Sequence, residues 1–213
     1  MNNRFEEKFK IQAVSYHQFM LRNRALLLRD HEALRFNPSH IYQVNSLYFD
    51  TPELVSYNQK VNGDQYKYKL RLRDYGTEVK FLELKLKEGL SGSKVRVPYS
   101  NLEDSYKQIL SKLNSETIVK FNLPLIAHSF NPTLYVSYQR EAYRLLTDKN
   151  VKLNIDRDIK VRKPNHKSEV SLPEGSVLEI KYVDHALDKK LCFQNEKIEF
   201  SKYQRGVEYV YFL

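Results

Sequence analysis

Hydrophobic and polar residues alternate with a period of two in eight separate stretches of the chain. In YKYKLRLRDY (66–75), Lys67, Lys69, Arg71 and Arg73 share one parity, while Tyr68, Leu70 and Leu72 share the other. Successive side chains of a strand point to opposite faces, so the four cations fall on one face. RFEEKFKI sets Arg4, Glu6, Lys8 and Lys10 against Phe5, Phe9 and Ile11. VNSLYFDT sets Ser46, Tyr48 and Asp50 against Asn45, Leu47 and Phe49. KFLELKLKEG sets Glu83, Lys85 and Lys87 against Leu82, Leu84 and Leu86, and KVRVPYS sets Lys94 and Arg96 against Val95 and Val97. LYVSYQREAYRLL carries Tyr138 and Arg140 in register. VKLNIDRDIKV sets Lys152, Asn154 and Asp156 against Val151, Leu153 and Ile155. SVLEIKYVD sets Glu179 and Lys181 against Leu178, Ile180 and Tyr182.

Eight such strands predict a mostly antiparallel sheet. Helices are predicted over 15–30 with Ser15 as N-cap, over 51–63 with Thr51 as cap and Gly63 as stop, and over 100–113 with Ser100 and Glu103 at capping-box spacing. The final stretch, SKYQRGVEYVYFL, fits a helix or a strand.

An ordinary sheet turns its apolar face inward and scatters mixed polar residues outward. Here the polar face is not scattered: Lys and Arg outnumber Asp and Glu on it across most of the strands. The expected architecture is therefore α+β: an antiparallel eight-strand β-barrel forming a tunnel, with apolar faces outward under helices and a basic lumen. Two like charges ~4 Å apart repel by about 4 kcal/mol at an effective dielectric near 20. Such a lumen calls for a polyanion, and its few carboxylates offer hard oxygen ligands to a metal. The competing reading is a solvated sheet face with cross-strand ion pairs; recurrence of the bias along the chain weighs against it.

Composition narrows the classes. The chain has 213 residues, and 41% are hydrophobic, enough for a packed core in a single domain spanning 1–213. A net charge of +9 suits phosphate-rich partners. The lone Cys192 excludes an intramolecular disulfide and a cysteine zinc site. No apolar run is long enough to span a bilayer, and the start MNNRFEEKFKI is too charged for a signal peptide, so a cytoplasmic protein is expected. No phosphate-binding loop, dinucleotide fingerprint or nucleophile elbow occurs.

The runs Arg4-x-Glu6-x-Lys8, SLYFDT, YKLRLRDY, LELKLK, YQREAY, LEIKY and SKY follow one another over nearly the whole chain. Together they resemble the polyphosphate polymerase (VTC) domain of the triphosphate tunnel metalloenzyme, or CYTH-like, superfamily. The resemblance implies catalytic contacts from Arg71, Arg73, Arg140 and Lys202. It implies phosphate binding by Lys8, Lys85, Tyr138 and Ser201, and Mn²⁺ or Mg²⁺ at Glu179. Lys69, Lys87, Lys152 and Lys181, on the same parity, are further phosphate-binding candidates, and Glu6 is a second metal candidate. Lys152-x-Asn154-x-Asp156 stands where the family commonly has Arg-x-Thr-x-Asp, and a proline often found after the EIKY strand is missing.

The implied activity is polyphosphate synthesis from the terminal phosphate of ATP, with ATP and inorganic polyphosphate or triphosphate as partners and room for a membrane partner protein. An inorganic or nucleoside triphosphatase is the second reading. Those enzymes typically carry Glu-x-Glu-x-Lys at the first strand, where this chain has Arg4. A non-catalytic polyphosphate-binding module is the third. Nucleic acid is disfavoured, because Glu6, Glu83 and Glu179 share the face of the cations.

Overall fold

The computed structural model describes residues 5–34, 40–89, 91–183, 191 and 196–213; Arg4, Cys192 and most of the segment after the EIKY strand lie outside them. The order is β1 (Phe5–Ile11), α1 (Ala13–Asn23), β2 (Leu27–Arg29), α2 (His31–Leu34), β3 (Ile41–Asp50), α3 (Val55–Val61), β4 (Tyr66–Asp74), β5 (Phe81–Glu88) and β6 (Ser91–Pro98). It continues with α4 (Leu102–Leu110), α5 (Ser115–Lys120), β7 (Asn131–Leu145), β8 (Lys152–Arg162), β9 (Val170–Ser171), β10 (Ser176–Tyr182) and α6 (Lys202–Val207). A π-helical turn, Glu208–Phe212, ends the chain.

All eight strands read from the alternation form, and they pair antiparallel in the order β1-β10-β8-β7-β3-β4-β5-β6. Two short strands flank the path, β2 on β7 and β9 on β8. The expected closure into a barrel is not seen in the hydrogen bonding: among the described residues no pairing joins β1 to β6. The sheet is nonetheless curled. Lys85 on β5 reaches Glu6 on β1 at 3.3 Å across the inner face, although five strands separate them in the order.

Apolar parities face outward and are covered. Tyr68, Leu70, Leu82, Leu84, Leu86 and Val97 pack with Tyr106 and Ile109 of α4 and with Phe121, Leu123 and Phe130. Phe9, Ile11, Leu153, Ile155, Leu178 and Ile180 pack with Phe19 of α1. Each fully buried leucine contributes about 2 kcal/mol relative to exposure.

A third cluster lies on the inner parity, where the alternation alone places charge. Ser137 pairs with Lys160 and Gln139 with Arg157, so two residues of β8 oppose Tyr138 alone. Asp158 accommodates this bulge with φ +51°, a left-handed conformation that Asp tolerates. The bulge switches parity, so Ile159 and Val161 join Val44, Leu134, Val136 and Val177 beneath Tyr203 and Val207 of α6. The close approach of α6 requires Gly206: an added Cβ would meet Leu134 Cδ2 at 2.5 Å and Val161 Cγ1 at 2.9 Å.

The helices differ from expectation at their ends. The segment predicted as one helix over 15–30 stops at Asn23, and residues 27–29 pair with β7, because tertiary pairing outweighs local propensity. Its N-cap is Gln12 rather than Ser15. Asn101, not Ser100, caps α4 and accepts from the Asp104 N–H. α5, with Asn114 as cap, was not anticipated. The C-terminal stretch is helical, with Ser201 as cap. No helix among the described residues is long and apolar enough to cross a membrane.

Asp50 has a role the alternation did not suggest. Fully buried, its carboxylate accepts from the backbone N–H groups of Thr51, Ser56 and Tyr57 at 2.9, 2.9 and 3.0 Å and from the Tyr203 hydroxyl at 2.5 Å. It therefore caps α3 together with Thr51, whose hydroxyl accepts the Val55 N–H at 3.3 Å as expected, and fastens α6. Asp50→Ala strands four buried donors and is expected to cost about 3–5 kcal/mol, against about 1–3 kcal/mol for Tyr203→Phe. Urea unfolding checks both; a loss under 1 kcal/mol in the Asp50 variant would contradict the assignment.

Candidate functional site

The register arranges the inner face into rows that cross the sheet. Tyr48, Arg71, Glu83 and Arg96 are successive partners over β3, β4, β5 and β6. Tyr42, Arg140 and Asp156 line up over β3, β7 and β8. Asn154, Glu179 and Lys8 form a row over β8, β10 and β1, beside Lys152, Lys181 and Glu6. Two rows contain only cations: Lys67 opposite Lys87, and Lys69, Lys85 and Lys94 side by side.

Two carboxylates sit at the root of the face. Glu83, 1% exposed, takes Arg71 Nε and Nη2 on one oxygen at 2.9 and 2.7 Å and Lys94 on the other at 3.1 Å. Arg73 and Arg96 stand at 3.8 and 4.0 Å. Asp156, 0% exposed, takes Arg140 bidentately at 2.6 and 2.8 Å and Lys202 at 2.5 Å. Burial pushes both acids towards the neutral form, but the neighbouring Arg and Lys charges overcome it and hold both below the usual carboxylate range. The remaining guanidinium edges meet hydroxyls. Arg71 Nη1 donates to Tyr48 at 3.2 Å, Arg73 Nε to Ser46 at 3.0 Å and Arg73 Nη2 to Tyr138 at 3.3 Å. The Tyr138 ring carries Lys202 Nζ at 4.6 Å and the Arg140 guanidinium at 5.3 Å.

A second pair of carboxylates lies nearer the open space. Glu6 bonds Lys8 at 2.8 Å and Lys85 at 3.3 Å. Glu179 pairs with Lys181 and accepts from Asn154 at 3.2 Å, with Arg140 at 3.9 Å. The strongest influence on Glu6 is the Glu179 charge, which with burial raises its pKa; Lys8, Lys85 and Lys181 reverse that and leave it at about 2. Burial also acts against Glu179, and Lys181 and Arg140 hold it well below the carboxylate range.

The lysines respond to crowding. Burial draws Lys181 down to about 8 despite Glu179. Burial and the charges of Lys8 and Lys85 lower Lys69 strongly, and burial and Lys85 lower Lys87. Neither Lys69 nor Lys87 makes an ion pair among the described residues; Lys69 Nζ bonds the Ser201 hydroxyl at 2.7 Å.

A cavity of about 430 Å³ is lined by every residue singled out from sequence except Lys152. A second, of about 500 Å³, shares Glu6, Arg71, Arg73, Lys85, Lys87, Arg140 and Lys181 with it and opens among Lys94, Arg96 and Lys152. Lys152 thus lies in the second space, 3.7 Å from Asp30. Glu83 and Asp156 were visible in the alternation but not singled out; Tyr48 and Ser46 were not recognised. Pairing across adjacent strands, with Arg71 opposite Glu83 and Arg140 opposite Asp156, is the signal that finds the acids.

Among the described residues no group of three or more His, Cys, Asp or Glu side chains is placed to hold a metal ion. Glu6 and Glu179 supply two ionised, hard oxygen donors on adjacent strands. That set fits Mg²⁺ or Mn²⁺ held by one or two carboxylates and completed by water and bound phosphates.

Because Glu83 and Asp156 have lowered folded-state pKa values, the stability they add is present above the unfolded carboxylate range near 4. It is lost as pH falls through their folded values. Glu83→Gln is expected to cost about 3–5 kcal/mol at pH 7 by stranding Arg71, and to flatten the acid limb of stability against pH. An acid limb as steep as that of the wild type in urea titrations from pH 7 to 3 would refute this role.

Comparison with curated proteins returns no match in sequence. Among solved structures, a Bacillus halodurans protein named as a candidate adenylate cyclase aligns with a TM-score of 0.49 and 12% identity, covering 86% of this chain and 83% of that one. A Hippeastrum protein named as a candidate adenylyl cyclase and described as having a dominant triphosphatase activity aligns with a TM-score of 0.48 and 14% identity, covering 85% and 78%. The family model of the VTC domain matches residues 3–211, and the chain belongs to the VTC domain family.

Proposed function

We propose that this chain is a metal-dependent phosphotransferase that builds polyphosphate from the terminal phosphate of ATP within a basic tunnel. The observation that carries the reading is the pair of all-cation rows, Lys67–Lys87 and Lys69–Lys85–Lys94, of which Lys67, Lys69, Lys85 and Lys87 line one cavity with Glu6 and Glu179. Like charges directly opposite on a sheet are destabilising. A bound oligophosphate removes that cost, and neighbouring carboxylates on β1 and β10 suit the metal that accompanies it. The overlap of the two cavities supports a passage open at both ends, and their walls draw on β1 as well as α6, which supports residues 1–213 acting as one catalytic unit.

Phosphoryl transfer asks the protein for alignment and charge stabilisation more than for covalent chemistry. Arg71 and Arg73, held by Glu83, Tyr48 and Ser46, present guanidinium edges to the transferring group. Arg140 and Lys202, held by Asp156, grip the phosphates on the β7 side, with Tyr138 beneath them. Lys8, Lys85, Lys87 and Lys181 line the path of the chain, and Lys152 stands at the second opening. Mg²⁺ or Mn²⁺ on Glu6 and Glu179 would neutralise charge on the phosphates. An acceptor phosphate is already ionised, so growth of the chain needs no general base.

The test is turnover of ATP with Mg²⁺ or Mn²⁺, products resolved by gel and phosphorus NMR. Long-chain polyphosphate with ADP is expected. Arg73→Ala and Arg140→Ala are expected to lower kcat/KM by about 10²–10³, and Glu179→Gln to abolish the response to metal. Free phosphate from tripolyphosphate without chain growth would replace the polymerase with a triphosphatase. Metal-dependent binding without turnover would leave a binding module.

A further inference from the structure

The two overlapping spaces differ in their aromatic side chains. Tyr48, Tyr68, Tyr138 and Phe200 line the first, and all four are at most 5% exposed. Tyr48 is stacked on Tyr203 with ring centroids 5.0 Å apart, and the Tyr138 ring carries the cations of Lys202 and Arg140. Rings covered so deeply have little face to give a ligand. The second space is lined by Tyr42 and Tyr75, and these two are only partly buried.

Their place follows from the register. Tyr42 on β3 is the direct partner of Arg140 on β7, and Tyr75 comes two residues after Arg73, on the same parity. Both rings pack against the apolar cluster beneath α6. They meet edge to face, with centroids 6.0 Å apart and planes at 62°, so neither lies flat over the other. Tyr75 stands four residues beyond Arg71, about 13 Å at the rise of a strand. That reach is comparable to a triphosphate with its ribose. An inorganic phosphate chain has nothing to lay against tyrosine rings at such a distance, whereas a nucleoside triphosphate carries a flat aromatic base there.

We propose that Tyr42 and Tyr75 form the nucleoside subsite: the base stacks on them in the second space, and its triphosphate runs inward past Arg140 and Arg73 to Arg71. The inference rests on the proposed use of ATP, and it adds the two residues that tell a nucleotide from an inorganic phosphate chain. Stacking on an aromatic ring is tolerant of base identity, because every base has a π-face. The substrate class is therefore nucleoside triphosphates without a strict choice of base.

Titration calorimetry with Mg²⁺ compares a non-hydrolysable ATP analogue with tripolyphosphate. The wild type is expected to bind the analogue more tightly. Replacing both rings, Tyr42→Leu with Tyr75→Leu, should weaken the analogue by about 5- to 100-fold and leave tripolyphosphate unchanged, which also reports an intact fold. Tyr42→Phe with Tyr75→Phe keeps the rings and should keep the affinity. Photolabelling of the wild type with azido-ATP, mapped by peptide mass spectrometry, needs no variant and should mark the peptides that carry Tyr42 or Tyr75. Equal weakening of both ligands in the leucine variant, or label confined to residues 197–202 at the first space, would overturn the inference and leave the phosphotransferase reading standing. Binding of neither ligand by the wild type would overturn both readings together.

Discussion

The inner face of the sheet depends on a few buried carboxylates that hold cations out of water. Desolvating a charge costs several kcal/mol even after relaxation, and a pair recovers that only with good geometry and further hydrogen bonds. Glu83 and Asp156 meet the condition. Each binds an arginine through two N–H groups, takes a lysine as well, and is itself almost fully buried. Hydroxyls of Tyr48, Ser46 and Tyr138 satisfy donors that the acids leave over. Arg71, Arg73 and Arg140 are therefore fixed before any ligand arrives, at an entropic cost already met in folding.

This constraint explains why the sheet is covered on its apolar side and left open on its charged side. With Leu70, Leu82, Leu84, Leu153, Ile155 and Ile180 facing out, helices α1 and α4 must lie on the exterior. Helix α6 rests on the inner face where the β8 bulge has replaced charge with Ile159 and Val161. Gly206 lets it come close, and Asp50 ties its Tyr203 to the start of α3. The start of α6 thus reaches the cavity with Ser201 and Lys202 in fixed positions.

Much of this was legible in the sequence, because a period of two reports the face of every residue. It found all eight strands of the path and placed Lys69, Arg71, Lys85, Arg140 and Glu179 on a common face. It does not report depth or register. Glu83 and Glu6 look alike in an alternation, yet one lies under four cations and the other beside the cavity. Asp50 shares the parity of Tyr48 but ends its strand, where free helix N–H groups claim it instead of a cation. The bulge at Asp158 has no signature in a run that reads as an unbroken strand. Residues 27–29 pair as a strand because β7 offers an edge there, which no local pattern reveals.

The uneven placement of the carboxylates gives the cavity two unlike walls. Glu6 and Glu179 stand on β1 and β10, while the rows without acids lie on β4, β5 and β6. Among the described residues Lys85 alone pairs across, to Glu6. A polyanion entering this space meets cations on one side and, on the other, acids that repel it unless a divalent ion intervenes. On the proposed reading the metal is therefore a condition of binding as well as an aid to transfer. Lys69, opposite Lys85, makes no ion pair among the described residues and donates instead to the Ser201 hydroxyl at 2.7 Å. The shortage of negative charge along the Lys69–Lys85 row is what makes that side of the cavity attractive to phosphate.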